Sequence, residues 1–158
     1  MNPTSPPPGH QTAAVVDLGA LLADPVQARA YYVDARDTEA MAAAGATLEY
    51  AVARIDLAGC TDKAAALDRV SRALRFPAWF GGNWDALADC LGDLGWWPAE
   101  GYLLLIEHAG DWRAQDRAEF DTLLAILTEA AMEWAGRGKA FWVLFPLPAD
   151  QLAALEPD

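Results

Sequence analysis

Basic side chains are scarce in this chain: eleven Lys and Arg stand against 23 Asp and Glu, for a formal net charge of −12. Binding to nucleic acid rests on Lys and Arg neutralising phosphates, so an acidic chain of this kind is expected to make no direct contact with RNA or DNA. It steers basic partners instead, and a basic enzyme that itself binds nucleic acid is one such partner. Cysteine is almost missing. Cys60 and Cys90 are the only two, too few for a disulfide framework, and they are expected as free, buried thiols. Only two histidines are present, His10 and His108, and no Cys or His cluster has metal-ligand spacing. No metal and no cofactor are expected. No apolar run approaches the roughly 20 residues that span a bilayer, so no membrane contact is expected. Met1–Gln11 holds four prolines and no Lys or Arg, unlike a signal or transit peptide. The localisation expected is cytoplasmic.

What is present is enough apolar material for one core: 158 residues, 54% of them hydrophobic. Met1–Gln11 reads as a disordered Pro-rich tail. A short helix is expected over Asp17–Ala23, stopping at Asp24-Pro25 because proline disfavours helix in the residue before it. Arg29–Asp34 reads as a strand. Thr38–Ala44 reads as a helix with Gly45 at its stop. In Leu48–Leu57, Ala51, Ala53, Ile55 and Leu57 fall on one side and Tyr50, Val52 and Arg54 on the other, which predicts a strand with both faces covered. Thr61 or Asp62 caps a helix that runs to about Arg75, with Ala66, Leu67, Val70 and Leu74 on its inner stripe. Helices over Trp84–Leu94 and Asp116–Ala135 follow, the latter ended by Gly136 and Gly138. Between and after them lie apolar strands, Gly101–Glu107 and Ala140–Phe145, the last terminated by Pro146. A closing helix is expected over Pro148–Leu155. Alternation of this kind gives an α/β fold with a parallel sheet covered by helices. One domain is expected, with residues 12–50 as an N-terminal extension packed on a unit formed by residues 51–158.

The segment most telling of function is Phe76–Trp112. It has no Lys or Arg, yet holds six acids and five tryptophans. Asn83 is a good helix cap. After it, Trp84, Leu87, Leu91 and Leu94 line one helix face, and Asp85, Asp89 and Asp93 line another at a spacing of four. Like charges at that spacing weaken a helix by roughly 0.2–0.5 kcal/mol per pair, and Asp93 sits at the unfavourable end of the dipole. A helix shaped for stability alone would interleave lysines, so this acidic face calls for an external cationic partner. The preceding Pro77-Ala78-Trp79-Phe80-Gly81-Gly82 sets two large aromatics beside two glycines, the composition of a binding hot spot. Taken singly, Phe80 fits a core plug equally well, and the glycines fit a turn that needs positive φ. For Trp96 and Trp97 ordinary packing is the expectation.

Phe76-Pro77-Ala78-Trp79-Phe80-Gly81-Gly82-Asn83-Trp84-Asp85-Ala86-Leu87-Ala88-Asp89-Cys90-Leu91 resembles the barstar family signature: Pro, two aromatics, Gly, any residue, Asn, an apolar residue, Asp-Ala-Leu, then Asp. In element order the resemblance extends over roughly Ala51–Phe145. It implies a barstar-like fold of three core strands, with a fourth expected from the N-terminal extension. It also implies a protein, not an enzyme, that inhibits a basic secreted or toxin-type ribonuclease in an immunity-type pairing and is a monomer when free. By position, Asp89 resembles the acid that replaces substrate phosphate in the nuclease active site, and Asp85 its neighbour. Trp79 takes the place of a contacting aromatic, with Phe80 beside it. Asn83, Gly81 and Leu87 resemble the residues that shape loop and helix. Ala88 stands where a large aromatic is often found. Glu129, on the long helix, falls where the family has a further acidic contact. Trp79 and Phe80 replace the two tyrosines of the best-known member, so phenol hydrogen bonds are absent here.

Two other readings compete. Asp85 and Asp89 at helical spacing have Cβ atoms about 6 Å apart, a separation compatible with a hydrolase's acid–base pair. Both, however, sit on a convex helix. A Cys90–His108 dyad lacks an orienting group or oxyanion hole in its surroundings. The remaining alternative is an acidic interaction module bound to a partner that is not a ribonuclease.

Overall fold

The computed structural model describes residues 18–155. The tail expected over Met1–Gln11 lies outside them, as does Asp17. Among the described residues the chain runs α1 (Leu18–Leu22), β1 (Ala30–Asp34), a 3-10 turn (Ala35–Asp37), α2 (Thr38–Thr47), β2 (Ala51–Asp56), α3 (Lys63–Ala73), α4 (Trp84–Asp93), β3 (Tyr102–Glu107), α5 (Gly110–Gln115), α6 (Arg117–Gly136), β4 (Phe141–Leu147) and α7 (Ala149–Leu155). The four strands form one fully parallel sheet in the order β1-β4-β3-β2. Parallel strands need long crossovers, and each connection here carries at least one helix. The expected α/β class, with a parallel sheet under helices, is what the chain forms.

Period-two alternation sorts the side chains into two layers. Ala53, Ile55, Leu104, Ile106, Val143 and Phe145 point to a larger core under α3, α4 and α6. Leu103, Leu105, Trp142 and Leu144 point the other way, to a smaller core closed by Leu22 of α1 and Met41 of α2. That is why β3 and β4 are buried along nearly their whole length. The N-terminal segment is tied to the sheet by polar contacts too. The Leu22 carbonyl accepts both the Tyr50 hydroxyl and the Trp142 indole N–H, each at 2.8 Å.

Helix ends depart from the sequence reading in instructive ways. Gly45 does not stop α2. The helix continues to Thr47, and the left-handed residue is Glu49, at φ 63°. Its N–H meets the Ala46 carbonyl at 2.9 Å, and Tyr50 N–H meets that of Gly45 at 3.0 Å, a Schellman closure. Gly45 serves packing instead: a Cβ there would lie 2.8 Å from Leu103 Cδ2. Pro146 does not end β4 either, since the strand runs on to Leu147. Its ladder with β3 finishes at Leu144, so at Pro146 only β1 remains as a ladder partner. A missing N–H is tolerated there as on an edge. The short helix α5 was not expected. It exists because Trp112 is fully buried against Phe120, ring centroids 5.8 Å apart.

Candidate protein-binding surface

The surface begins where α3 ends. Leu74 closes the helix, Arg75 adopts φ 57°, and Phe76 N–H returns to the Ser71 carbonyl at 2.9 Å. This closure points Phe76 at the next loop, where it meets Phe80 edge-on at 4.9 Å and Trp96 at 5.8 Å. Trp96 is held in turn by its indole N–H on the Leu74 carbonyl at 3.0 Å. Trp79 rests edge-on against Trp96 at 6.2 Å and is still 61% exposed. A large aromatic is thus braced from below while its outer surface faces water. Phe80 is half-buried, packed on the core and so partly a plug. Of the two glycines, Gly82 has the positive φ, 73°. Gly81 does not, so the turn requirement falls on Gly82 alone.

Asn83 starts α4 by accepting the Ala86 N–H on its side-chain oxygen at 2.7 Å. One face of α4 is sealed: Leu87, Cys90 and Leu91 are buried. Trp84 lies at the margin, its indole N–H 3.4 Å from Glu119 Oε1 and its ring under the Lys63 ammonium. The opposite face carries Asp85, Ala88 and Asp89, all exposed. Glu129 is exposed on α6, and Ala88 and Glu129 border one recess of about 110 Å³ between the two helices. The aromatic loop, the α4 acids and Glu129 therefore occur on connected elements.

Charge on this surface is unrelieved. Arg36, Arg54, Lys63, Arg72 and Arg117 pair with Asp34, Glu39 and Glu107, Glu119, Asp68 and Asp121. Arg69, Arg137 and Lys139 donate to backbone carbonyls, and Arg75 and Arg113 lie over Trp97 and Tyr32. Among the described residues none of these bases forms an ion pair with Asp85, Asp89 or Glu129. The basic groups nearest in sequence are spent elsewhere, so the carboxylates face solvent without an internal partner.

Cys90 and His108 do not form a dyad. Cys90 is fully buried, and burial, with Asp89 and Asp93 adding to it, pushes its thiol up. Cys60 is buried and its thiol raised likewise. His108 is exposed and pairs with Asp56 at 2.7 Å, not with Cys90. Among the described residues no group of three His, Cys, Asp or Glu side chains could hold a metal ion, and no helix is long and apolar enough to cross a membrane.

Three features went unforeseen in the sequence: the Trp96 brace, the Lys63–Trp84–Glu119 cluster, and Arg137 on the Gly92 carbonyl at 2.8 Å. Each joins residues at least seventeen positions apart, beyond the reach of local spacing.

Fold and surface together define a small parallel α/β protein that presents an acidic helix and an aromatic loop outward. The family model for barstar, described as the barnase inhibitor, matches residues 50–146. The chain belongs to the barstar family. Among curated proteins none matches it. The matched region opens one residue before β2 and closes within β4, so α1, β1 and α2 lie outside it, although β1 pairs with β4.

Proposed function

We propose that this protein inhibits a basic microbial ribonuclease by placing Asp85 and Asp89 in its active-site cleft, with Trp79 and the loop before α4 packed on the rim. The observation that carries the reading is the pair of exposed carboxylates with no internal cation, on a helix whose other face is locked into the core. Family membership supports it, because barstar-type proteins are inhibitors and not enzymes. A cleft arranged to bind phosphates holds Arg, Lys and His, and a carboxylate satisfies them as a phosphate does. Such a pair outweighs its desolvation only when well hydrogen-bonded, which puts Asp89, in mid-helix, at the centre of the contact. Asn83, Gly81 and Phe80 shape the approach, Ala88 leaves room beside Asp89, and Glu129 adds an acid from the second helix. Residues 12–50 act as an extension of the same unit, outside the contact. The acid excess also speeds encounter with a basic partner, the behaviour for which this family's own nuclease complex is the standard example.

The test is titration of the purified protein into a panel of small basic microbial ribonucleases while RNA cleavage is followed. Stoichiometric loss of activity in at least one supports the reading. Asp89→Ala is expected to weaken that complex by more than about 2 kcal/mol, a hot-spot cost. Inhibition unchanged in the folded variant, or no nuclease inhibited, overturns it.

A further inference from the structure

The sheet has two free edges, β2 and β1, and they are built differently. At β2 the even-numbered residues turn their backbone outward, since Ala51 N–H meets the Gly101 carbonyl at 2.9 Å and Leu57 N–H that of Glu107 at 2.8 Å. Those outward positions are charged or covered. Arg54 pairs with Glu39 and Glu107, and the Asp56 carbonyl accepts the Arg69 guanidinium at 2.6 Å. Charges of this kind blunt an edge against further pairing. At β1 the Val143 N–H meets the Arg29 carbonyl at 3.0 Å, so the ladder turns the backbone groups of Ala30 and Tyr32, and the N–H of Asp34, to the free side. Among the described residues no group meets those of Ala30 and Tyr32 there. From Ala30 to Val33 no side chain is charged.

The surface beside this edge is apolar. Leu21, Val26 and Tyr31 are 42%, 72% and 41% exposed. Leu18, Leu21, Tyr31, Val33 and Trp142 border a recess of about 350 Å³ along the strand. Tyr31 is a firm part of it, with its ring 5.8 Å from that of Trp142 and its hydroxyl donating to the Gln27 carbonyl at 2.6 Å. Charge around the edge is balanced, unlike that of the whole chain. Leu18–Asp37 holds Asp24, Asp34 and Asp37 against Arg29 and Arg36, and Arg113 lies over the Tyr32 ring without an ion pair among the described residues. A basic partner therefore finds no acidic field here, and a second copy meets little like-charge penalty. The net charge of −12 repels from further away, where physiological salt screens it beyond about 8 Å.

We infer that the β1 edge pairs with the β1 edge of a second copy of this chain, antiparallel about a two-fold axis at Tyr32. Two-fold contacts of one patch with itself are the commonest way identical chains associate. In that register Tyr32 exchanges both backbone bonds with the partner's Tyr32, and the Asp34 N–H meets the carbonyl of the partner's Ala30. On the face of the recess Tyr31 stands opposite the partner's Val33, an aromatic–β-branched pair of the kind that stabilises sheets. On the other face the partner's Asp34 lies diagonally from Tyr32, the ring that Arg113 covers, so a base without an ion pair gains an acid. The family resemblance implies a free monomer, but β1 lies outside the matched residues 50–146, and that expectation does not reach it. Asp85 and Asp89, on α4, are no part of this contact.

The experiment is sedimentation equilibrium of the full chain at pH 7 and physiological salt. No ribonuclease is added, so the outcome is independent of the reading of α4. A single strand pair is a small interface, and the dimer is expected to dominate at about 100 μM and to dissociate on dilution towards about 1 μM. Tyr31→Lys, at a side chain already exposed, is expected to raise the dissociation constant about tenfold or more, with its fold checked by a urea melt. Met132→Lys makes the same change of charge on α6 and is expected to dimerise like the parent. Amide exchange reads the strand itself: the Tyr32 N–H should exchange more slowly at the higher protein concentration than at the lower. A parent that is monomeric at both concentrations overturns the inference. So does a dimer that Tyr31→Lys leaves intact, or one that Met132→Lys dissociates. If Tyr31→Lys does not fold, the Tyr32 amide decides, and exchange independent of protein concentration overturns the inference.

Discussion

The indole N–H of Trp134 donates to the carbonyl of Leu91 at 2.8 Å, joining α6 to α4 across 43 residues of sequence. Leu91 lies one turn from the helix end, where carbonyls lose their intrahelical partners. Beside it Arg137 takes the Gly92 carbonyl and covers the Trp134 ring at 4.3 Å. The C-terminal half of the acidic helix is thereby fixed to the helix that carries Glu129. Any partner thus meets α4 and α6 already assembled, with little to order on binding.

Trp134→Phe should remove that bond and leave the Leu91 carbonyl buried without a partner. A loss of about 1–3 kcal/mol in urea unfolding is expected. Inhibition should weaken as well, because α4 is then less firmly held. Unchanged stability would show that the indole bond has no structural weight.

Asn83→Ala removes the oxygen that receives the Ala86 N–H. A cost of about 1 kcal/mol is expected, and Asn83→Ser should restore most of it. Urea midpoints of the three proteins provide the measurement. Because the cap also fixes where α4 starts, the Ala variant should bind a ribonuclease less tightly than its loss of stability alone would suggest.

How far the sequence could be read depended on whether the signal was local. The four strands, the main helices and the cap at Asn83 follow from apolar period, Pro and Gly positions and a polar side chain at a helix start. The α4 acids could be placed on one face by spacing alone, since Leu87 and Leu91 set which side is buried. Glycine was a poorer guide. Glu49 and Arg75 take left-handed positions where glycine would be expected, because the Schellman bonds and the partial burial of Tyr50 and Phe76 outweigh the Cβ penalty. Helix α5 has no amphipathic run of useful length and exists for the sake of Trp112. The brace of Trp79 by Trp96 joins two turns through the tertiary fold, and no spacing rule reaches it. Leu124 has the helical period of a core position with Phe120 and Leu127, yet it is only half-buried, since the neighbouring helices do not reach it.

Gly45→Ala separates two roles for one glycine. By helix propensity alone the change should stabilise α2 by up to about 1 kcal/mol. The added Cβ would lie 2.8 Å from Leu103 Cδ2 and 3.2 Å from Val52 Cγ2. Leu103 is fully buried and has little room to move, and overpacking of this kind costs about 1–3 kcal/mol. The net expectation is a loss of stability in urea unfolding. A gain would mean that α2 shifts outward freely and that the glycine is dispensable.

Asp56 gives the fold a dependence on acid. Its carboxylate accepts the Ala58 N–H at 2.9 Å and lies 2.7 Å from His108 Nδ1, and these contacts, the backbone bond first, hold it below the ordinary carboxylate value. A group whose native pKa is lowered favours the folded state when ionised. That contribution is complete above the unfolded value of about 3.9, fades as pH falls towards the native value, and is lost below it. The site is open to water, so the effect should be under about 1 kcal/mol. Asp56→Asn keeps the oxygen for Ala58 and removes the charge. Lowering the pH changes the repulsion among the other acids in both proteins alike, so the difference between them isolates this carboxylate. Urea unfolding should show the parent more stable than Asp56→Asn at pH 7, with a smaller gap at an acid pH below the unfolded value of about 3.9. A gap that is the same at both pH values would rule out the Asp56 charge as its source.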